Sequence, residues 1–208
     1  MTTHDAPSAA AGPLLLADIS GYSSFLRSVA DEHRNDAFAD GAIPDGYRVI
    51  SSLLDAIVTH FVPPFTLSKL EGDAVFAYAP DDTIDFGGDA LLDCLRECYG
   101  AYRERLDETE HQMLCSCEAC SRVHVLDLKF VLHAGHYVMQ SIVGRQELLG
   151  PDVTMAHLLL KNTVTSRGGY ALITEAAADT LGVPLAGSKP HVEHYDHYQP
   201  IRSYVFRL

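Results

Sequence analysis

Apolar positions along the chain alternate between short continuous runs and stretches of helical spacing. Leu14-Leu15-Leu16-Ala17 is a continuous run that ends at Asp18-Ile19-Ser20-Gly21, the pattern of a buried strand turning through glycine. Tyr22, Phe25, Leu26 and Val29 then recur on one face, which predicts a short helix over 22–29. Residues 31–40 are highly charged and read as exposed, with a helix as one reading of them. The clearest helix is predicted over 44–62, where Tyr47, Ile50, Leu54, Ile57, Val58 and Phe61 keep one face and Pro63-Pro64 stops it. Between 65 and 79, two runs rich in β-branched and aromatic residues flank Glu71-Gly72-Asp73, which predicts a hairpin with glycine in the turn. A long helix follows from Ile84 to about Met113, along which run Leu91, Leu92, Leu95, Tyr99, Tyr102 and Leu106. The alternation in 125–143 predicts two strands with a turn near Ala134-Gly135. Strand, two helices, hairpin, helix and strand in that order fit an α+β sandwich, with helices on a mostly antiparallel sheet.

Composition narrows this little. The chain has 208 residues, 47% of them apolar and 21% charged, which suits one globular domain with a real core. Residues 1–12 read as a loose tail and 13–208 as a single domain, with a cysteine-rich insert at about 111–124. Charge says more. A formal net charge of −13 argues against a nucleic-acid polymer or an anionic membrane as partner, because polyphosphate surfaces are met by basic ones. It does not exclude a single nucleotide held through metal ions. No window approaches the roughly 18 apolar residues of a membrane span, and the N-terminus has no secretory pattern, so a cytoplasmic location is expected.

Three places carry candidate chemistry. Asp18 stands at the carboxyl end of the first strand. The backbone of Ile19, Ser20, Gly21, Tyr22 and Ser23 would put N–H groups beside it, so a metal ligand and an anion cradle would adjoin; the plainer role for such an aspartate is to cap the next helix. The hairpin tip bears Lys69, Glu71 and Asp73. If it lies beside the first strand, Asp18 and Asp73 converge on a site suited to Mg²⁺ or Mn²⁺; otherwise it is a charged, solvated turn. Third, Cys115, Cys117 and Cys120 fall within six residues and are flanked by His111 and His124, which offers a zinc site of structural type or a reduced thiol cluster. Cys94 and Cys98 lie four apart on the long helix and read as core. His133 and His136 read as polar strand positions rather than acid–base groups.

Taken together, the strand-turn Leu16, Asp18, Ile19, Gly21, Tyr22, Ser23 and the Lys69…Gly72-Asp73 hairpin resemble the class III nucleotide cyclase catalytic domain. The similarity continues through His133, Gly135 and Gly144, and through Gly150, Val153, Ala156 and Leu159. It implies a ferredoxin-like βαββαβ core and two metal-binding acids, Asp18 and Asp73, helped by the Ile19 carbonyl. It further implies a nucleoside triphosphate as ligand and a head-to-tail homodimer with sites at the interface. Lys69 and Glu147 fall at the base-selecting positions, and a lysine there matches the adenine-selective version, so ATP is the expected triphosphate. The cysteine insert is not part of the family pattern.

The departures lie in one segment. The family's ribose-orienting Asn is Thr154 and its phosphate-stabilising Arg is Leu158, while Tyr198 stands near the place of a phosphate-binding Lys. Lys161, one helical turn after Leu158, is the nearest cation in sequence that could substitute. A lost cation at a phosphoryl transition state costs orders of magnitude in rate. Two functions remain: a divergent cyclase forming a cyclic nucleotide and pyrophosphate, or a degenerate cyclase-like domain that binds a nucleotide or a partner.

Overall fold

A computed structural model describes residues 6–34 and 43–208. The strand that opens with the Leu14–Leu16 run is longer than its apolar core: β1 spans Ser8–Ser20. It is followed by α1 (Tyr22–Glu32), α2 (Asp45–Phe61), β2 (Thr66–Glu71), β3 (Ala74–Tyr78) and α3 (Gly88–Gln112). A short α4 (Glu118–Ser121) precedes β4 (Asp127–Ile142), β5 (Arg145–Leu149), α5 (Pro151–Leu158), β6 (Tyr170–Thr174), α6 (Glu175–Leu181), β7 (Lys189–Glu193) and β8 (Ile201–Arg207). The strands form one sheet in the order β2-β3-β1-β4-β6-β8-β7, with β5 paired to β4. All pairings are antiparallel except β4 with β6. β1 through β4, with their helices, make a βαββαβ unit whose strand order is the ferredoxin-like one.

Both faces of β1 are buried, and they meet different partners. Leu15, Ala17 and Ile19 join Phe25, Leu53, Ile57, Leu95, Tyr102 and Phe130 in a core covered by α1, α2, α3 and α6. Leu14 and Leu16 point the other way, into a smaller cluster with Phe76, Tyr78 and Val131 that α5 covers through Val153, Met155 and Ala156. Successive strand side chains alternate in this way, and a strand apolar on both faces reads as a continuous run rather than an alternation. Cys98 is fully buried in the larger cluster and Cys94 packs against it, as core residues.

Two details depart from the sequence expectations. The stretch read as a loose tail contributes to β1: Ser8–Gly12 pair with Gly135–Met139 of β4, and only residues 1–5 of it lie outside the described residues. Its alanines have weak strand propensity, so the pairing comes from the long partner strand and not from local preference. Second, 127–142 is one strand, not two. The turn comes at Val143-Gly144, both with positive φ (52° and 75°), as a tight hairpin into β5 requires. Gly135 is needed for close approach instead, since a β-carbon there would sit 2.2 Å from an Asp152 carboxylate oxygen of α5. The charged 31–40 stretch starts in the last residues of α1, in line with the helical reading, and most of it falls outside the described residues.

Candidate metal-nucleotide site

Gly21 turns β1 into α1 with φ 89°, a left-handed conformation that glycine adopts without strain. No side chain caps this helix start, which leaves first-turn N–H groups next to the end of β1 without a side-chain acceptor. Asp18 is not a helix cap. The β2–β3 hairpin has a two-residue turn, Gly72-Asp73, with glycine at positive φ (67°). β3 lies directly beside β1, Asp18 opposite Ala74, and the Ile19 N–H donates to the Asp73 carbonyl at 3.3 Å. Adjacent strands therefore carry Asp18 and Asp73 to one place. Burial, and then the neighbouring charge of Asp18, push the Asp73 carboxyl above the usual carboxylate range. Burial and the charge of Asp73 likewise raise the Tyr22 phenol.

Lys129 completes this end of the site, and sequence reasoning missed it. It sits opposite Asp18 in the β1–β4 ladder. Its ammonium lies 3.0 Å from an Asp18 carboxylate oxygen and donates to the Leu160 carbonyl at 2.9 Å. The lysine and aspartate side chains are only 18% and 16% exposed, so each needs the other. The available signal was a lone lysine inside the apolar stretch LDLKFVL.

Lys69 is on β2, paired across from Phe76, and so shares the face of the sheet that α5 partly covers. Its ammonium lies 3.2 Å from both Glu147 of β5 and Glu71. Partial burial opposes the charge, but the two carboxylates outweigh it and hold the Lys69 pKa above the usual lysine value. Glu71 in turn meets the His157 ring at 3.0 Å, and that ring stands edge-on to Phe76 at 4.8 Å. Beside Lys69 and Glu147, an open cleft of about 560 Å³ is lined by Thr66, Leu67, Tyr78, Arg145 and Gln146. Lys69 and Glu147, 78 residues apart in sequence, are thus one charged pair at a cleft large enough for a nucleoside base.

The α5 segment is less engaged. Thr154 is exposed and its hydroxyl donates to the Gly150 carbonyl of its own turn at 3.3 Å. Leu158 is half-buried and Lys161 exposed. Tyr198 packs against the smaller cluster and presents no cation. His133 is not solvent-facing: it is buried, bonded to the Thr174 hydroxyl at 3.1 Å, and burial lowers its pKa despite Asp152 at 3.5 Å.

The cysteine loop is organised differently from the expectation. Cys115, Cys117 and Cys120 do converge, but on His33 at the end of α1. His111 Nδ1 donates locally to the Asp107 carbonyl at 2.7 Å, and His124 Nδ1 to the Ser121 carbonyl at 3.0 Å. Each of those histidines is bonded within its own turn, and neither is in the cluster. Spacing along the chain pointed to them, whereas the fold returns a residue more than 80 positions earlier.

Comparison with known proteins agrees with the architecture. A family model described as a protein of unknown function, DUF2652, matches residues 50–168, more than half of the chain. An uncharacterised protein of Mycobacterium tuberculosis is 32% identical over 136 residues, which are 64% of this chain. The match spans 59% of that relative's length. Among solved structures, the adenylyl cyclase CyaB of Pseudomonas aeruginosa superposes with a TM-score of 0.67 over 97% of this chain and 95% of that one, at 12% identity. The guanylyl cyclase Cya2 gives 0.66 over 98% and 93%, at 16% identity. A class III adenylyl cyclase-like ATP-binding protein from Pseudomonas aeruginosa gives 0.55 over 84% of this chain and 35% of that one, at 17% identity. The fold is that of the class III nucleotide cyclases.

Proposed function

The chain belongs to the DUF2652 family and has the class III cyclase fold, and from that premise we propose that it binds a metal–nucleoside triphosphate, ATP favoured. The observation that carries this reading is the convergence of Asp18 and Asp73, with the Asp73 carboxyl held above its usual range by burial and by its neighbour. Two half-buried carboxylates brought side by side suit a hard divalent cation such as Mg²⁺ or Mn²⁺. Asp18, Asp73 and the Ile19 carbonyl would hold the ion. When bound, such an ion lowers the pKa of a ribose hydroxyl and neutralises a departing pyrophosphate.

The remaining roles belong to the chain's own groups. The free N–H groups after Gly21 face phosphate oxygens. Lys69, kept charged by Glu147 and Glu71, donates to a ring nitrogen acceptor of adenine, and Glu147 accepts from an exocyclic amine. A second copy, packed head to tail, is the proposed partner. The face bearing these residues is only partly covered by α5, and Val138, Ile142, Val143 and Leu149 of the β4–β5 arm, with Leu67 and Leu70 of β2, leave apolar side chains exposed. Thr154 and Leu158 offer neither a ribose-orienting amide nor a cation, so tight binding with slow or absent cyclisation is the favoured behaviour. A second reading, a scaffold kept for interaction with another protein, rests on the same substitutions.

Calorimetric titration with non-hydrolysable ATP and GTP analogues, with and without Mn²⁺, tests the proposal. Metal-dependent binding that both Asp18→Ala and Asp73→Ala abolish is the expected result, with a cyclic-nucleotide assay to follow. No binding to the parent chain overturns it and leaves the interaction scaffold.

A further inference from the structure

We propose that His33, Cys115, Cys117 and Cys120 hold one zinc ion in a closed, tetrahedral site that fastens the end of α1 to the loop following α3. The geometry is that of a coordination shell. His33 Nε2 lies 3.2 Å from Cys117 Sγ, 3.5 Å from Cys115 Sγ and 3.6 Å from Cys120 Sγ. All four ligand atoms fall within 4.8 Å of one another. With zinc–sulfur bonds of about 2.3 Å and zinc–nitrogen bonds of about 2.0–2.1 Å, tetrahedral angles set each N···S edge at about 3.6 Å. Three sulfurs and one imidazole nitrogen, the soft and borderline donors zinc prefers, stand at that separation.

The surroundings orient the ligands as a metal site does. The Cys120 N–H donates to Cys117 Sγ at 3.3 Å, which places Cys117 at the start of α4. The Leu114 and Cys115 N–H groups both donate to one Asp45 carboxylate oxygen, each at 3.0 Å, which ties the loop to the first turn of α2. Cys120 is fully buried, and Ala119 and Val123 beside it belong to the main core. Four protein ligands leave no position for water or substrate, so the site is structural rather than catalytic. The other two cysteines take no part: Cys94 and Cys98 donate to the His60 and Ile57 carbonyls of α2.

A clamp at this place also answers a need of the fold. α1 has eleven residues, and only Phe25 and Val29 are fully buried. Two buried side chains are little to hold a helix against fraying. A metal bond at His33 anchors the end that packing leaves weak. The zinc ligands share no residue with the proposed nucleotide site.

Metal analysis of the full chain, produced with zinc in the medium and desalted, is the first test, and one zinc per chain is expected. Replacement by Co²⁺ should give the charge-transfer and d–d absorption of a tetrahedral thiolate site. His33→Ala should weaken zinc binding about 10-fold or more and alter the cobalt bands, whereas His111→Ala and His124→Ala should leave both unchanged. If Cys117→Ser does not fold, the parent chain still decides: a strong chelator should lower its melting temperature and added zinc should restore it. Absence of stoichiometric zinc and cobalt binding by the parent chain overturns the site. So does loss of metal on replacing His111 or His124 but not His33.

Discussion

The chain gathers metal-ligating side chains in two places, by opposite means. Asp18 at the end of β1 and Asp73 in the turn before β3 are half-buried carboxylates, with an internal cation, Lys129, already bonded to one of them. His33 and the three cysteines are soft ligands on a helix end and a loop, packed on the core and fixed by backbone N–H groups. The first arrangement is open and charged, suited to an ion that arrives with a ligand and leaves with it. The second is closed and suited to an ion that stays. The two sites flank α1, one before its first turn and one at its last.

If the acid site lacks only the groups that α5 would supply, restoring them should have the largest effect. Thr154→Asn combined with Leu158→Arg is expected to raise cyclic-nucleotide formation by about 100-fold or more, measured as product per enzyme at saturating Mn²⁺. An unchanged rate would mean the acid site is not catalytically intact. Next, Asp18→Ala should weaken metal-dependent nucleotide binding by about 100-fold while leaving zinc content unaltered, and Cys117→Ser should do the reverse. Loss of both properties in either variant would break the separation of the two sites. Lys129→Met removes the partner of a shielded carboxylate. It should destabilise the metal-free protein by about 1–3 kcal/mol, with Mg²⁺ recovering part of the loss, as denaturant titration would read.

The smallest effect concerns Asp73. Its carboxyl is protonated more readily in the fold than in the unfolded chain. Below the ordinary value of 3.8 both states keep the proton, and the fold loses nothing. As pH rises through that value and the raised one, the folded state loses stability relative to the unfolded. Asp73→Asn should therefore melt slightly higher than the parent at neutral pH without metal, converge with it in acid, and lose its response to Mg²⁺.

What could be read from the sequence was what the chain encodes locally. The LLLADISGY run, the Glu71-Gly72-Asp73 turn and the Pro63-Pro64 stop are short-range signals, and each element formed where they placed it. The resemblance carried Lys69 and Glu147 as separate positions, and the fold makes them a pair. Lys129 escaped because its meaning lies in register: only the β1–β4 ladder sets it opposite Asp18. His33 escaped because ligand spacing favours near neighbours, and the fourth ligand comes from another element. Gly135 was misread as a turn because glycine has two uses. It releases the backbone where φ is positive, and it makes room where another group must approach, here Asp152.

The central place of β1 has a further consequence, for the order in which the chain is made. Its neighbours in the sheet are β3 and β4, and Asp18 pairs with Ala74 on one side and Lys129 on the other. The ribosome therefore delivers β1 before either neighbour, and its last partner more than a hundred residues later. Until β4 emerges, Leu14–Ile19 has an unpaired edge, and a chain truncated before Asp127 keeps that edge for good. Contacts this distant in sequence make folding slow, so the strand on which both halves of the sheet depend waits with an open edge during synthesis.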